Sequence, residues 1–538
     1  MKWKRYAAAT LGLSLAVTAA ACSSSSNKGN EGAKSSTQPS ASAKATESAK
    51  PAENKKFTIS ALFYNFGAVS PTDGPGLAEF NKKFNVDLKV TNVLNTSFEE
   101  KMTAMFASGD IPDATTLNTT MLNGRYAQLA RQGALLPLDD YIAKYPSLKI
   151  VPSQVWDALK VDGKIYGIPS YYPKFGLTPM IRQDWLDALG LKMPTNYQEL
   201  KQVALAFTKN DPDKNGKNDT YGLAMSQNIN PDFNMGAYWD ANAWYHKNKD
   251  GQFIPGIIGP GRKELISMFA DLYKEGAMTR DFAVMTWPDV NKEFYSGKAG
   301  IFIGTPRGMG QANMEGLYKL YPNAKLTPIP PFADPNGNTG FTAGINFNAM
   351  TVLSAKLAKE PDKLQRVLEI SDFSRKFYPY DQRNPNNADF DFWNGKNTQG
   401  YDMVDGNVVR KADAAAKGLG PWNYWFDVNW PANDTDIDYR KDYSFKPLVD
   451  LTDTYMKLIP TWKYYVNPSY TAYSKTNSEK GAELTKFLMD EQTKMIAGNT
   501  SVADWDKMVT EYMNKGGTQV IKEMNEGIKI KDPKENYK

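Results

Sequence analysis

The sequence predicts an α/β protein of two or more lobes, carried behind an N-terminal export leader. Three observations lead there. The chain has 538 residues, more than a single hydrophobic core organises. Helical periodicities alternate with short apolar runs, the pattern of strands covered by helices. The N-terminus reads as a positive start, an apolar run and a long polar stretch.

The leader comes first. "MKWKR" supplies a positive start, and "YAAATLGLSLAVTAAA" has the length of a signal-peptide apolar region rather than a membrane span. Cys22, the only cysteine, follows Ala19 to Ala21. This resembles a bacterial lipobox, although Ala19 stands where leucine is usual. The reading is a signal peptide over residues 1–21 and lipidation at Cys22. The competing reading is a plain secretory signal with an incidental cysteine. From Ser23 to Lys55 there is no aromatic or large aliphatic side chain, so residues 22–56 read as a disordered tether.

Net charge is +5, and Lys2, Lys4 and Arg5 supply three of those charges. The remainder is nearly balanced, which argues against a nucleic-acid partner.

Folded sequence starts near Phe57. "KFTISALFYN" alternates and then runs apolar, a strand that becomes buried on both faces. "NTSFEEKMTAMFASGD" reads as a helix capped by Thr96 or Ser97, with Phe98, Met102, Met105 and Phe106 on one face and Gly109 ending it. "ALLPLDDYIAKYP" and "DGKIYGIP" read as loop and short strand. "MIRQDWLDALGLKMPTNYQELKQVALAF" gives strand, helix, proline-marked turn and a second helix opened by Thr195. "GTPRGMG" lacks the spacing of a nucleotide-binding loop.

In that order "MFASGDIPD", "QGALLPLDDYI", "DGKIYGIPS", "IRQDWLDALGLKMPTNYQEL", "GKAGIFIG", "TAGIN" and "SVADWDKMVTEYMNKGG" resemble the extracellular solute-binding proteins of bacterial ABC importers. The likeness is to the maltose-binding-like cluster and its large Gram-positive lipoproteins. It covers nearly all of Phe57 to Lys538. The resemblance implies a two-lobed periplasmic-binding-protein-like fold (type II) that closes on ligand about a hinge. Mapped by motif, the first lobe takes residues 57–173 and 349–460, and the second takes 174–348 and 461–538. The chain would cross at Tyr171 to Ile181, return at Thr342 to Asn348, and depart again near Trp462.

"DPDKNGKNDTYG" sets oxygen-bearing side chains at the odd positions of a calcium loop. Asp211, Asp213, Asn215 and Asp219 stand at one, three, five and nine. Gly216 sits at the sharp turn, and Lys217 offers a backbone carbonyl at seven. Position twelve is Gly222 rather than the usual bidentate glutamate. The site resembles the calcium loops of polysaccharide-binding relatives, where a further carboxylate often follows position nine; here that residue is Thr220. A solvated Asx-rich turn is the competing reading. All the ligands are oxygen, so the expected ion is a structural Ca2+.

A saccharide needs flat apolar faces and directional polar groups. Candidates are Tyr64 and Asn65 after the first strand, Tyr171 and Tyr172 at the first crossing, Trp239, Trp287 and Arg307. Trp422, Trp425 and Trp430 complete the set, three tryptophans in nine residues that fit no helical or strand period. Each ring competes with a core position.

The expected protein is a non-enzymatic monomer on the extracellular face of a Gram-positive cell membrane. It would capture an oligosaccharide and pass it to the transmembrane subunits of an ABC permease. The alternatives are a secreted glycoside hydrolase and a binder of peptides or another small solute. His246, the only histidine, reads as an exposed turn, which leaves no catalytic triad or histidine metal site.

Overall fold

The first apolar run forms a nine-residue strand, β1 (Phe57–Asn65), whose alternating burial gives way to four consecutive buried residues, Ala61 to Tyr64. That pattern belongs to a central strand. The computed structural model describes residues 55–65, 69–174, 178–304, 310–404, 407–411, 413–433 and 436–538. The signal peptide, Cys22 and the tether up to Asn54 lie outside the described residues.

After β1 come α1 (Pro75–Phe84), β2 (Val86–Leu94), α2 (Asn95–Ala107), β3 (Ala114–Asn118), α3 (Ala127–Arg131) and β4 (Gly167–Tyr171). Next are β5 (Thr178–Arg182), α4 (Gln183–Leu189), α5 (Tyr197–Lys209), β6 (Tyr221–Leu223), α6 (Pro260–Lys274), α7 (Trp287–Tyr295), β7 (Ala299–Gly304), α8 (Gln311–Leu320), β8 (Leu326–Pro328) and β9 (Phe341–Ala343). The chain then makes β10 (Phe347–Leu353), α9 (Pro361–Ser374), α10 (Lys446–Leu458), β11 (Tyr464–Val466), α11 (Lys475–Ile496), α12 (Trp505–Tyr512) and α13 (Thr518–Gly527).

Two main sheets result. The first has the order β2-β1-β3-β10-β4, with β1 parallel to β2 and β3, and β10 antiparallel to both neighbours. The second has the order β8-β5-β7-β6. Its alternation is clean: Ile181 and Ile301 face one core with Trp185 and Phe207, while Met180 and Phe302 face the opposite one with Phe294 and Leu317.

β10 joins the first sheet although it follows the whole second sheet in sequence. The chain therefore passes from the first sheet to the second after Tyr171 and returns before Phe347. The third crossing differs from the expected one near Trp462. Leu448 and Leu451 of α10 pack with Phe302 and Leu326, so the chain has changed cores before Lys446.

Local signals differ from expectation at two helix starts. β2 runs into α2 without a turn, so Leu94 occupies the cap position and no side chain caps that helix. In α5 the cap is Asn196 rather than Thr195. Its side chain accepts from Glu199 N at 2.9 Å, and the Glu199 carboxylate accepts from Thr195 N and Oγ1 at 2.8 and 2.9 Å. His246 lies in a short hairpin with Phe253–Ile254 and is buried between Tyr238 and Tyr245, not in an exposed turn. No helix among the described residues is long and apolar enough to cross a membrane.

Candidate binding cleft and calcium loop

Ligands of open α/β sheets sit at the carboxyl ends of their strands. In the first sheet those ends are Asn65, Leu94, Asn118 and Tyr171, with Phe347 beginning the antiparallel return beside Tyr171. The crossings leave from the same edge. Tyr172 N donates to Asn346 O at 3.0 Å, Gly344 N donates to Lys174 O at 2.8 Å, and the Lys174 ammonium lies 5.4 Å from the Tyr464 ring.

The proposed sugar-binding rings separate into two groups here. Tyr64 packs against Phe98 and Phe426, and burial pushes its hydroxyl up to about 12. Trp425 is 1 % exposed, meets Phe63 edge-on and stacks on Phe80, and its indole N–H donates to Asp427 at 2.8 Å. Trp430, equally buried, packs between the Arg375 guanidinium and Tyr171. Trp239 belongs to the second core, packs on Tyr197, and donates to the surface carboxylate of Glu264 at 2.9 Å. These five rings, Tyr64, Tyr171, Trp239, Trp425 and Trp430, are core side chains because neighbouring rings cover their faces.

Asn65, Tyr172 and Trp422 are half-buried on the first-sheet side, and Trp287 is half-buried on the second. Arg307 lies outside the described residues. Phe426 was missed by sequence reasoning. It is half-buried and stacks over Phe63 and Tyr64 near the end of β1. Its signal was present in "PWNYWFDVNWP": Trp425 and Asp427 turn inward, which turns Phe426 outward.

The loop between α5 and β6 folds around its own side chains. Asp211 takes φ 46°, Lys214 φ 55° and Gly216 φ 76°, so the chain turns sharply enough for Asp211 to accept from the backbone N–H of Asn215 and Gly216. The Asn215 amide nitrogen donates to Asp213 Oδ2 at 2.9 Å and to Asp219 Oδ1 at 3.2 Å. Asp213 Oδ1 is buried without a hydrogen-bond partner among the described residues. Burial, together with Asp211 and Asp219, raises the Asp213 carboxyl above its usual range. Among the described residues no three acidic side chains converge closely enough to hold a metal. The Asn215 amide stands between two of the carboxylates instead.

Two expected features of this loop have physical explanations. Thr220 turns away and donates to Phe207 O at 2.8 Å. At position twelve, a Cβ on Gly222 would lie 2.5 Å from Ala204 Cβ, so packing against α5 leaves no room for glutamate.

A family model described as "Bacterial extracellular solute-binding protein" matches residues 67–360. The chain is 28% identical over 493 residues to a polygalacturonan/rhamnogalacturonan-binding protein, YtcQ, of Bacillus subtilis (strain 168), covering 89% of this chain and 92% of that one. It is 26% identical over 495 residues to Lipoprotein LipO of the same organism, covering 89% and 94%. Among solved structures, the alginate-binding protein AlgQ2 without calcium ion superposes with a TM-score of 0.65 at 21% identity, over 89% of this chain and all of that one.

Proposed function

We propose, for a chain that belongs to the bacterial extracellular solute-binding proteins, that it captures a carbohydrate between its two lobes and delivers it to a membrane permease. The observation that carries this is the topology. Two sheets with separate cores are joined by three crossings, so each lobe can move as a body while only the crossing residues change their backbone angles. The lobes take residues 57–173 and 349–445, and 174–348 and 446–538. Closure follows from contact with both lobes: a ligand that binds the closed form more tightly shifts the population toward it.

The sugar is the favoured ligand because a relative 28% identical over 493 residues carries a polysaccharide-binding name. The half-buried set at the strand ends also has the required chemistry. Trp422, Phe426 and Tyr172 supply flat faces, Asn65 supplies a directional amide, and Trp287 approaches from the second lobe. The buried Trp425, Trp430, Tyr64 and Tyr171 back this surface and hold it rigid. Titrating oligosaccharides and peptides against tryptophan fluorescence tests the reading. A saturable signal with saccharides alone supports it, and release of reducing ends from a bound polymer would replace it with a hydrolase.

The Asp211–Asp219 loop is proposed to hold a structural Ca2+ through Asp211, Asp213, Asn215, the Lys217 carbonyl and Asp219. The donors are all oxygen, and Asp213 Oδ1 is buried without a partner. Asn215 would turn its amide oxygen inward, replacing its two N–H donations with a cation. The ion would tie α5 to β6 and take no part in binding sugar.

Cys22 is proposed as the lipid attachment site, holding a monomeric receptor on the outer face of the cell membrane. A lipoprotein among the relatives supports this. Two or more acyl chains would make the anchor stable, and the tether would let the lobes reach the permease. The ATP that drives uptake would be hydrolysed by the transporter's own ATPases.

A further inference from the structure

The second lobe carries a groove of about 500 Å3 between α7 and α8, lined by Trp287, Asn291, Lys292, Asn313, Gly316 and Leu320. That volume lies within the range of small-molecule sites. Its position follows from the fold. β7 ends at Gly304, and Trp287, the first residue of α7, packs on Phe302 two residues before that end, ring centroids 5.1 Å apart. The upper end of the groove therefore lies at the carboxyl edge of the second sheet. The N-terminus of α8 lies beside the third crossing, because Gln311 Oε1 accepts from Ser444 N and Phe445 N at 2.9 and 3.3 Å.

Gly316 is the second observation. It stands inside α8, where glycine weakens a helix relative to alanine. A Cβ there would meet nothing within 4 Å, so no neighbour in the chain requires its absence. A bare backbone at the floor of a groove fits close approach by an outside molecule. Leu320, at the far end, is 60 % exposed.

Resting on the carbohydrate reading, we propose that this groove is a second saccharide-contacting site, which takes the units of a long chain that emerge from the interlobe cleft. The chemistry fits a sugar. Trp287 offers a ring face, Asn291 and Asn313 bring amides for hydroxyls, and Lys292 brings a cation for the carboxylate of an acidic unit. Asn291 is held in place by donating to Trp287 O at 2.8 Å.

The test compares short and long oligomers of galacturonic acid, with neutral gluco-oligomers as a second arm, by calorimetric titration of the whole chain. The wild type binds long oligomers more tightly than short ones. Asn313→Ala and Gly316→Gln each lower long-chain affinity about five- to tenfold and leave short-chain affinity unchanged. Gly316→Gln also keeps or raises the melting temperature, which separates lost contact from lost folding. If only the acidic arm responds, Lys292 sets the class, and Lys292→Gln removes the preference. Equal losses for short and long chains would make the groove part of the cleft site and overturn the proposal, as would unchanged affinities. A wild type that binds no saccharide in either arm would sink the carbohydrate reading itself, and this inference with it.

Discussion

Glu523 of α13 and Ser474 at the cap of α11 are hydrogen-bonded at 2.5 Å, and the same carboxylate accepts from Thr476 N at 2.9 Å and Thr476 Oγ1 at 3.0 Å. A residue near the C-terminus thus neutralises the first turn of the longest helix.

Desolvation alone would raise the Glu523 carboxyl, but the bonds from Ser474, Gln519 and Thr476 hold it at about 2. A depressed acid stabilises the fold fully above its unfolded value, here 4.5, and loses that contribution as pH falls toward 2. Glu523 is partly exposed, so solvent screening reduces the effect to about 1–2 kcal/mol. Glu523→Gln is expected to lower the melting midpoint at pH 7, with the gap to wild type closing as pH falls through 4. A gap that stays constant with pH would assign the effect to hydrogen-bond shape rather than charge.

Calcium should raise the melting midpoint of the wild type and EGTA should lower it. At one hundred times the dissociation constant the linkage is worth about 2.7 kcal/mol. Asp213→Asn removes the carboxylate with the unpartnered oxygen and should abolish most of that response. Saccharide affinity at a fixed temperature well below the midpoint should be unchanged. Identical melting curves in calcium and in EGTA would dispose of the ion.

The division between buried and half-buried rings predicts opposite outcomes for neighbouring tryptophans. Trp425→Ala empties a core site and takes one of two hydrogen-bond donors from the buried Asp427, leaving Thr351, with an expected cost of about 3–5 kcal/mol. Trp422→Ala should cost about 1 kcal/mol or less in stability and weaken saccharide binding. Denaturant unfolding with ligand titration separates them. A Trp425 variant that folds normally but loses the ligand would reverse the assignment.

The sequence carried the elements better than their ends. Strand β1 and the helix pair after β5 were readable because apolar periodicity and glycine or proline punctuation are local. The third crossing was not, because α10 is amphipathic and its apolar stripe fits either core. Only the contact of Leu448 with the second sheet decides it. The tryptophan cluster divides for a related reason, with Trp425 and Trp430 buried and Trp422 half-buried. Lack of a regular period shows that a segment is irregular, not whether its rings point inward. The odd-position spacing of the Asp211–Asp219 loop is legible in the sequence, but the steric cause of Gly222 depends on Ala204, eighteen positions earlier.

Asp240 in the second core should give a pH dependence of the opposite sign to that of Glu523. Burial first, and then the neighbouring Asp232, raise its carboxyl to about 6, against Arg262 and the Asn242 N–H that favour the charged form. Asn242 N donates to it at 2.8 Å, and Arg262 is itself buried, bonded to Gln492 at 2.9 Å. With the folded value above the unfolded 3.8, the native state binds more protons than the unfolded state between those two values. Stability therefore falls as pH rises from about 4 to about 6 and stays lower above that window. That difference corresponds to about 2–3 kcal/mol. Asp240→Asn keeps an acceptor for Asn242 but cannot titrate, so it should flatten this slope. Its absolute stability also reflects the partner taken from Arg262, so the slope is the deciding measurement. An Asp240→Asn variant whose midpoint falls across that window as steeply as the wild type's would show that this carboxyl is not the group responsible.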